Sequence, residues 1–328
     1  MKLLSYSRDP HQGPRLGFIR GEWVVDVELA GKWTRDHGLS PTTLPDLSSS
    51  MRPFLSDWPS MLEALQTVAD ILAEEDVGTL TVEGGPLAIR ESSVHFHPPV
   101  PDPPTFRDFY AFEQHVRAAR RSRGMEMDPT WYRIPIFYYS NPVNLYGHKD
   151  AIPMPGQTRA LDFELELGMI IARGGRDIPA EEADSCIGGY TIINDWSARD
   201  IQKEEMTLNL GPAKGKDFGT SVGPYLVTPD ELADRWEDGK LNLAMKAYRN
   251  GRKLSAGNAR DLYHSWQGMI ERASQNTPLM PGDLFGSGTV GTGCILELKP
   301  ENAGGWLEKG DVIRLEIERL GKLENIIV

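Results

Sequence analysis

The sequence predicts an α+β protein, mainly β: a small amino-terminal β domain with one helix over residues 1–98, and a larger domain over residues 99–328. Three observations carry this. Runs rich in β-branched and aromatic residues open the chain as LLSY, RLGFIR and EWVVDV. A proline-dense joint, HFHPPVPDPP, follows at residues 95–104, and because proline fixes φ and donates nothing to a ladder, it reads as rigid extended chain between two units. Further on, DFELELGMII at residues 162–171 alternates acidic and apolar side chains with the period of a strand.

Composition narrows the function. With 40% hydrophobic and 25% charged residues, the 328-residue chain describes an ordered globular protein able to bury a large core. The 47 acidic against 35 basic residues leave a formal charge of −12, which disfavours phosphate backbones and anionic lipid, so neither nucleic acid nor membrane is an expected partner. A run of about 18 apolar residues is absent, and MKLLSYSRDP reaches Arg8, Asp9 and Pro10 before an apolar core forms; the expected location is cytoplasmic. The two cysteines, Cys186 in an expected helix and Cys294 in an expected strand, suit reduced buried thiols.

Taken in order, the amino-terminal runs form a small antiparallel sheet or barrel with a turn at Arg20 and Gly21. A helix from Pro59 to about Glu75 gathers Met61, Leu62, Leu65, Val68, Ile71 and Leu72 on one face. His95 and His97 share a strand face, but with no carboxylate or cysteine cluster near them a structural role is the better reading. In FRDFYAFEQHVRAARRSRG, residues 106–124, Asp108 and Tyr110 precede a helix that carries His115. Arg117, Arg120, Arg121 and Arg123 then form a basic cluster in an acidic protein, suited to a small anion or to a solvated helix face. WYRIPIFYYSNP reads as a loop or edge strand lining a pocket.

Chemistry concentrates in the second domain. On a strand, Asp162, Glu164 and Glu166 share one face and Phe163, Leu165 and Leu167 the other. Side chains two apart stand about 6.6 Å from each other, so Glu164 and Glu166 either converge on a hard cation or face solvent. YTII delivers Asn194 and Asp195 to a strand end, and Arg199 and Gln202 fall four and seven residues later, along one side of an expected helix. Asp195 either caps that helix or completes an oxygen-only site, which suits Mg²⁺, Mn²⁺ or Ca²⁺ over Zn²⁺. The glycine-rich LGPAKGKDFGTSVGPYLV, with Lys214 and Lys216, lacks a phosphate-binding pattern. LMPGDLFGSGTVGTGCILELKP places Ser287 and Thr289 in a turn before a strand ending near Glu297, and KGDVIRLEIERLGKLENIIV closes the sheet as a strand pair with Glu316 and Glu318 facing solvent.

The order RDFY, QH, DFELELG, NDWSARDIQ, LGPAKGKDFGTSVGPYLV and SGTV resembles the fumarylacetoacetate hydrolases, over nearly all of residues 106–328. The resemblance implies a mixed β-roll catalytic domain, a homodimer and a Mg²⁺ or Ca²⁺ site. By matching position, it implies Asp108, Glu164, Glu166 and Asp195 as metal ligands, His115 as general base and Glu297 as the acid orienting it. Arg199, Gln202 and Lys216 would face the developing oxyanion, and Tyr110, Tyr138, Thr289 and either Arg121 or Arg123 would contact substrate. Met206 stands where the animal enzymes carry a substrate-binding tyrosine, a departure that bears on the native substrate. The implied activity is hydrolysis of a C–C bond in a small anionic diketo acid, foremost fumarylacetoacetate to fumarate and acetoacetate in tyrosine catabolism. Acylpyruvate or fumarylpyruvate hydrolysis, and keto-acid decarboxylation, isomerisation or dehydration, are the related alternatives; a non-catalytic metal-binding protein is the alternative of another class.

Overall fold

A computed structural model describes residues 1–9, 11–41 and 45–328. It is mostly sheet, as expected, with short helices at its margins. The three amino-terminal runs form antiparallel strands Lys2–Ser7, Arg15–Arg20 and Trp23–Asp26, with Gly21 supplying the positive φ of the second turn. They do not close into a separate barrel. Lys2 pairs with Val227 and Leu3 with Leu226, so the opening strands extend the same 12-stranded sheet that carries the second half of the chain. From one edge the main path runs through Ala88–Arg90, the three opening strands, Thr220–Val227, Ile187–Asp195, Leu165–Ile171, Leu284–Gly286 and Phe106–Phe109 to the edge strand Phe137–Ser140. The proposed division at residues 98 and 99 thus falls along the chain while the sheet crosses it.

The centre of this sheet is covered on both faces, which explains why Leu165–Ile171 and Ile187–Asp195 are buried along their whole length. One face, with Ile170, Ile193 and Val222, meets Leu3, Phe54, Leu65 and Phe106; the other, with Leu167, Met169 and Ile192, meets Trp196, Trp266, Leu315 and Leu323. The helix Ser60–Ile71 packs Met61, Ala64, Leu65 and Val68 inward, matching the expected face. The closing strands Val312–Ile317 and Gly321–Ile327 pair antiparallel, but in a second, five-stranded sheet. There Glu316 meets Arg314 and Glu318 meets Arg235, away from the acidic cluster described below.

Two expectations are corrected. The carboxylate stretch is not one strand: Leu161–Asp162 pairs with Ser197–Ala198, the chain steps out of the ladder at Phe163 and Glu164, and the main strand begins at Leu165. CILEL is a short helix, Ile295–Leu298, not a strand: the Asp162 carboxylate accepts from the backbone N–H of Ile295 and Leu296 at 2.7 and 3.0 Å, binding the free donors of a helix start.

Candidate active site

Register brings the acidic residues together from three strands. Asp108 lies level with Gly286, Gly286 is also hydrogen-bonded beside Gly168, and Glu166 shares a face with Gly168 two residues away. Asp195 ends its strand opposite Thr220, whose hydroxyl donates to Asp195 Oδ1 at 3.2 Å. Asn194 accepts from the Glu164 N–H at 2.9 Å and so fixes the step in the chain that turns this side chain into the site. Asp108, Glu164, Glu166 and Asp195 each bring a carboxylate oxygen within 4.8 Å of the others, and all four are buried.

Four buried carboxylates demand compensation. Lys216, itself buried, donates from Nζ to Glu164 Oε2 at 2.5 Å and to Asp195 Oδ2 at 2.6 Å, and Arg199 donates from Nη2 to Glu164 Oε1 at 2.7 Å. Burial pushes Glu164 up, but the charges of Lys216 and Arg199 outweigh it and hold its carboxyl well below the usual range. Burial works in the opposite sense on Lys216, where the Asp195 and Glu164 carboxylates keep the ammonium protonated. Asp108 and Glu166 have no such partners. Burial raises Asp108 well above its ordinary value, with Asp195 adding to it, and burial raises Glu166 with Asp108 adding to that. Among the described residues, Asp108 Oδ1 and both Glu166 oxygens are buried without a hydrogen-bond partner, which leaves acceptors that a hard cation could satisfy. The all-oxygen donor set fits Mg²⁺, Mn²⁺ or Ca²⁺.

Gly286 is part of this arrangement: a Cβ there would stand 2.4 Å from Asp108 Oδ1 and 2.8 Å from Glu166 Oε2. Gly286→Ala is therefore expected to displace two candidate ligands and weaken divalent-metal affinity by at least about tenfold, a cost of the size seen for disturbed outer-shell partners. Calorimetric titration with Mn²⁺ reads this directly.

His115 faces inward because the helix Glu113–Arg121 buries His115, Val116 and Ala119, while Glu113 at its start and Arg120 and Arg121 at its end complement the helix dipole. His115 Nδ1 meets Glu297 Oε1 at 2.5 Å, and Glu297 Oε2 accepts from the Thr292 N–H at 3.1 Å. A carboxylate only accepts, so Nδ1 carries the proton and Nε2 is left as the basic nitrogen. Arg199 and Gln202 share the helix Arg199–Glu205, joined from Nη1 to Oε1 at 3.0 Å. Asp195 stands at the end of the strand Ile187–Asp195, the strand end expected for it, and the short strand Ser197–Ala198 separates it from that helix. The loop before Lys216 is clasped by Glu205, whose carboxylate accepts from the N–H groups of Ala213, Lys214 and Gly215. Lys214 points elsewhere, paired with Asp217.

Among the expected substrate contacts, Tyr138 donates to Asp195 Oδ2 at 2.6 Å, which puts it at the edge of the acidic cluster. Thr289 is buried with its hydroxyl unpartnered. The Tyr110 ring meets the His115 ring edge-on at 5.4 Å; burial pushes its phenol up to about 12, against the positive charge of Arg123. Arg199 acts on this tyrosine in the same sense as Arg123. His95 and His97 pair with Asp150 and Ser7, a structural arrangement. Sequence reasoning missed Asp162, which the structure makes a hub: fully buried, it accepts from Arg199 Nε at 2.8 Å as well as from the start of the Glu297-bearing helix. Its place on the acidic strand face was the available signal.

Residues 105–328 match the profile described as fumarylacetoacetate hydrolase C-terminal. A mitochondrial oxaloacetate tautomerase of Xenopus laevis is 31% identical over 334 aligned positions, covering 100% of this chain and 90% of that protein. A 2,4-didehydro-3-deoxy-L-rhamnonate hydrolase of Sphingomonas sp. (strain SKA58) is 35% identical over 190 residues, 57% of this chain and 62% of that relative, so the match spans less than two thirds of its length. Among solved structures, maleylpyruvate hydrolase from Sphingobium sp. SYK-6, in complex with manganese(II) and pyruvate, has the same fold with a TM-score of 0.68 at 23% identity, over 100% of this chain and 99% of that one. Among the described residues no helix is long and apolar enough to cross a membrane. With more than half of its length matched by the profile, the chain belongs to the fumarylacetoacetate hydrolase family, which includes hydrolases, isomerases and tautomerases.

Proposed function

We propose that this protein is a metal-dependent hydrolase that cleaves a C–C bond in a small anionic diketo acid, with fumarylacetoacetate first among the candidates and acylpyruvates next. The observation that carries the reading is the buried pair of His115 Nδ1 and Glu297, which leaves His115 Nε2 as the unprotonated, basic nitrogen. A divalent cation held by Asp108, Glu164, Glu166 and Asp195 would supply Lewis-acid polarisation of adjacent carbonyl oxygens. His115 Nε2 takes a proton from water, whose oxygen adds to the substrate carbonyl. Glu297 keeps the proton on Nδ1 and stabilises the imidazolium that forms. Lys216 Nζ has three protons and directs two at Glu164 and Asp195, leaving one for a developing oxyanion. Arg199 likewise has N–H groups beyond those bound to Asp162, Glu164 and Gln202, and the Gln202 amide is free to donate because its oxygen faces Arg199. When the C–C bond breaks, its electron pair is protonated on carbon, giving a carboxylic acid and a shorter keto acid.

The guanidinium of Arg123, whose charge acts on Tyr110, suits the distal carboxylate of such a substrate. Arg123→Ala is expected to raise KM about tenfold or more with a smaller change in kcat, whereas Arg121→Ala leaves both near the parent values; steady-state kinetics on one diketo acid distinguish them. A homodimer is the assembly that the sequence resemblance implies, and light scattering of the purified protein reads it.

The full-length similarity to an oxaloacetate tautomerase supports a second reading, in which His115 shuttles a proton between keto and enol forms and no water adds. Loss of diketone ultraviolet absorbance from fumarylacetoacetate and from several acylpyruvates, with Mg²⁺ or Mn²⁺ and with EDTA, decides between them. Metal-dependent loss with stoichiometric release of two acids supports hydrolysis. Persistence of every diketo acid while enol oxaloacetate is rapidly converted assigns the site to tautomerisation.

A further inference from the structure

A second group of ligating side chains converges beside the acidic cluster: His115, Cys294 and Glu297 each bring a ligand atom within 4.8 Å of the others. Cys294 is fully buried immediately before the helix Ile295–Leu298, and its Sγ stands 3.8 Å from the same Glu297 Oε1 that His115 Nδ1 meets at 2.5 Å. The thiol has no part in the proton transfers described above. We propose that these three side chains form an inhibitory site for a soft divalent cation of the zinc class, distinct from the oxygen-only cluster.

The donor sets sort the ions. Nitrogen, sulfur and one carboxylate oxygen are the ligands Zn²⁺ takes in tetrahedral sites, whereas four carboxylates suit hard cations. Bonds of about 2.0–2.3 Å at tetrahedral angles place ligand atoms about 3.3–3.8 Å apart. The sulfur and the carboxylate oxygen already stand at that separation; the imidazole nitrogen reaches it by giving up its contact with Glu297. Water or a substrate oxygen fills the fourth position. A thiolate and a carboxylate neutralise the ion, which keeps the buried site free of net charge. Protons balance: the thiol proton leaves to solvent, and the Nδ1 proton moves to Nε2, so the imidazole stays neutral. That transfer is the inhibitory step. The nitrogen that must accept a proton from water now carries one, and the base is locked in the wrong tautomer while the four carboxylates of the oxygen-only cluster, none of them shared, keep their places.

The binding half of this proposal stands on the three ligands alone; the inhibitory half rests on His115 being the base. In Mg²⁺-saturated protein, titration with Cd²⁺ is expected to produce a thiolate-to-metal charge-transfer band in the ultraviolet that saturates at one ion per chain. The band is retained in Cys186→Ser, absent in Cys294→Ser, and reached only at higher Cd²⁺ in His115→Gln. Zn²⁺ is expected to slow turnover without relief by excess Mg²⁺. Its half-inhibitory concentration should rise at least about tenfold in Cys294→Ser, each protein being referred to its own zinc-free rate. A band that survives in Cys294→Ser, or zinc inhibition equally strong in that variant, overturns the site. If the cadmium band follows the expected pattern in protein that hydrolyses no diketo acid, the metal site stands and the proposed reaction falls.

Discussion

His115→Ala is expected to lower kcat on a diketo acid by about 10²- to 10⁴-fold, the usual worth of a positioned general base, while leaving Mn²⁺ affinity near the parent value. The split follows from the geometry: His115 sits on its own helix, bonded to Glu297, and contributes no atom to the four-carboxylate cluster. Glu297→Gln should fall in the same direction, because an amide facing Nδ1 no longer selects the tautomer with a basic Nε2. Single-turnover rates paired with calorimetric Mn²⁺ titration check both. A His115→Ala protein that hydrolyses diketo acids at the parental rate removes the histidine from the mechanism, whatever the metal does.

Chelation has an equally large expected effect: complete loss of turnover with EDTA, restored by Mg²⁺, Mn²⁺ or Ca²⁺ in an order that kinetics will rank. Stability should change with it, and the sign is set by Asp108 and Glu166, both raised by burial and then by neighbouring carboxylates. A carboxyl raised on folding binds more protons in the native than in the unfolded state, so its contribution falls as pH rises from the unfolded carboxylate value through the raised one. Metal-free protein should therefore lose this contribution towards neutral pH. Glu164, depressed in the folded state, works in the opposite sense and favours the native form above its unfolded value. Bound cation replaces the missing counter-charge for the first pair and adds about 2.7 kcal/mol at a hundred times its Kd. Thermal unfolding across pH, with EDTA and with metal, measures this. A melting temperature insensitive to divalent cation at every pH contradicts the site.

The acidic site was legible in part: strand alternation left Glu164 and Glu166 open between a cation and solvent, and the family resemblance, not the local pattern, added Asp108. Glu164, Glu166 and Asp195 fall within strand-like patterns whose apolar neighbours are buried on both sides, and the structure brings them together with Asp108. What escaped are features set by distant pairing. The opening strands look like an independent sheet because nothing local reports that Lys2 will pair with Val227. CILEL reads as a strand by composition, yet the carboxylate of Asp162, far away in sequence, binds its first N–H groups and makes a helix the better solution. The strand end at Asp195 was legible, but a period argument cannot see that the chain pairs again at Ser197 before the helix that carries Arg199 begins. Lys216 resembled a loop lysine; only the fold shows it sealed between Glu164 and Asp195.

Asp162 ties the Arg199 guanidinium and the first turn of the Glu297 helix to one carboxylate. The cationic half of the pocket and the proton-handling half thus share an anchor, and neither shifts without pulling on the other. Energies measured for single replacements at Arg199 and Glu297 should not add in the double variant, and the size of the shortfall is a measure of how rigidly that anchor holds.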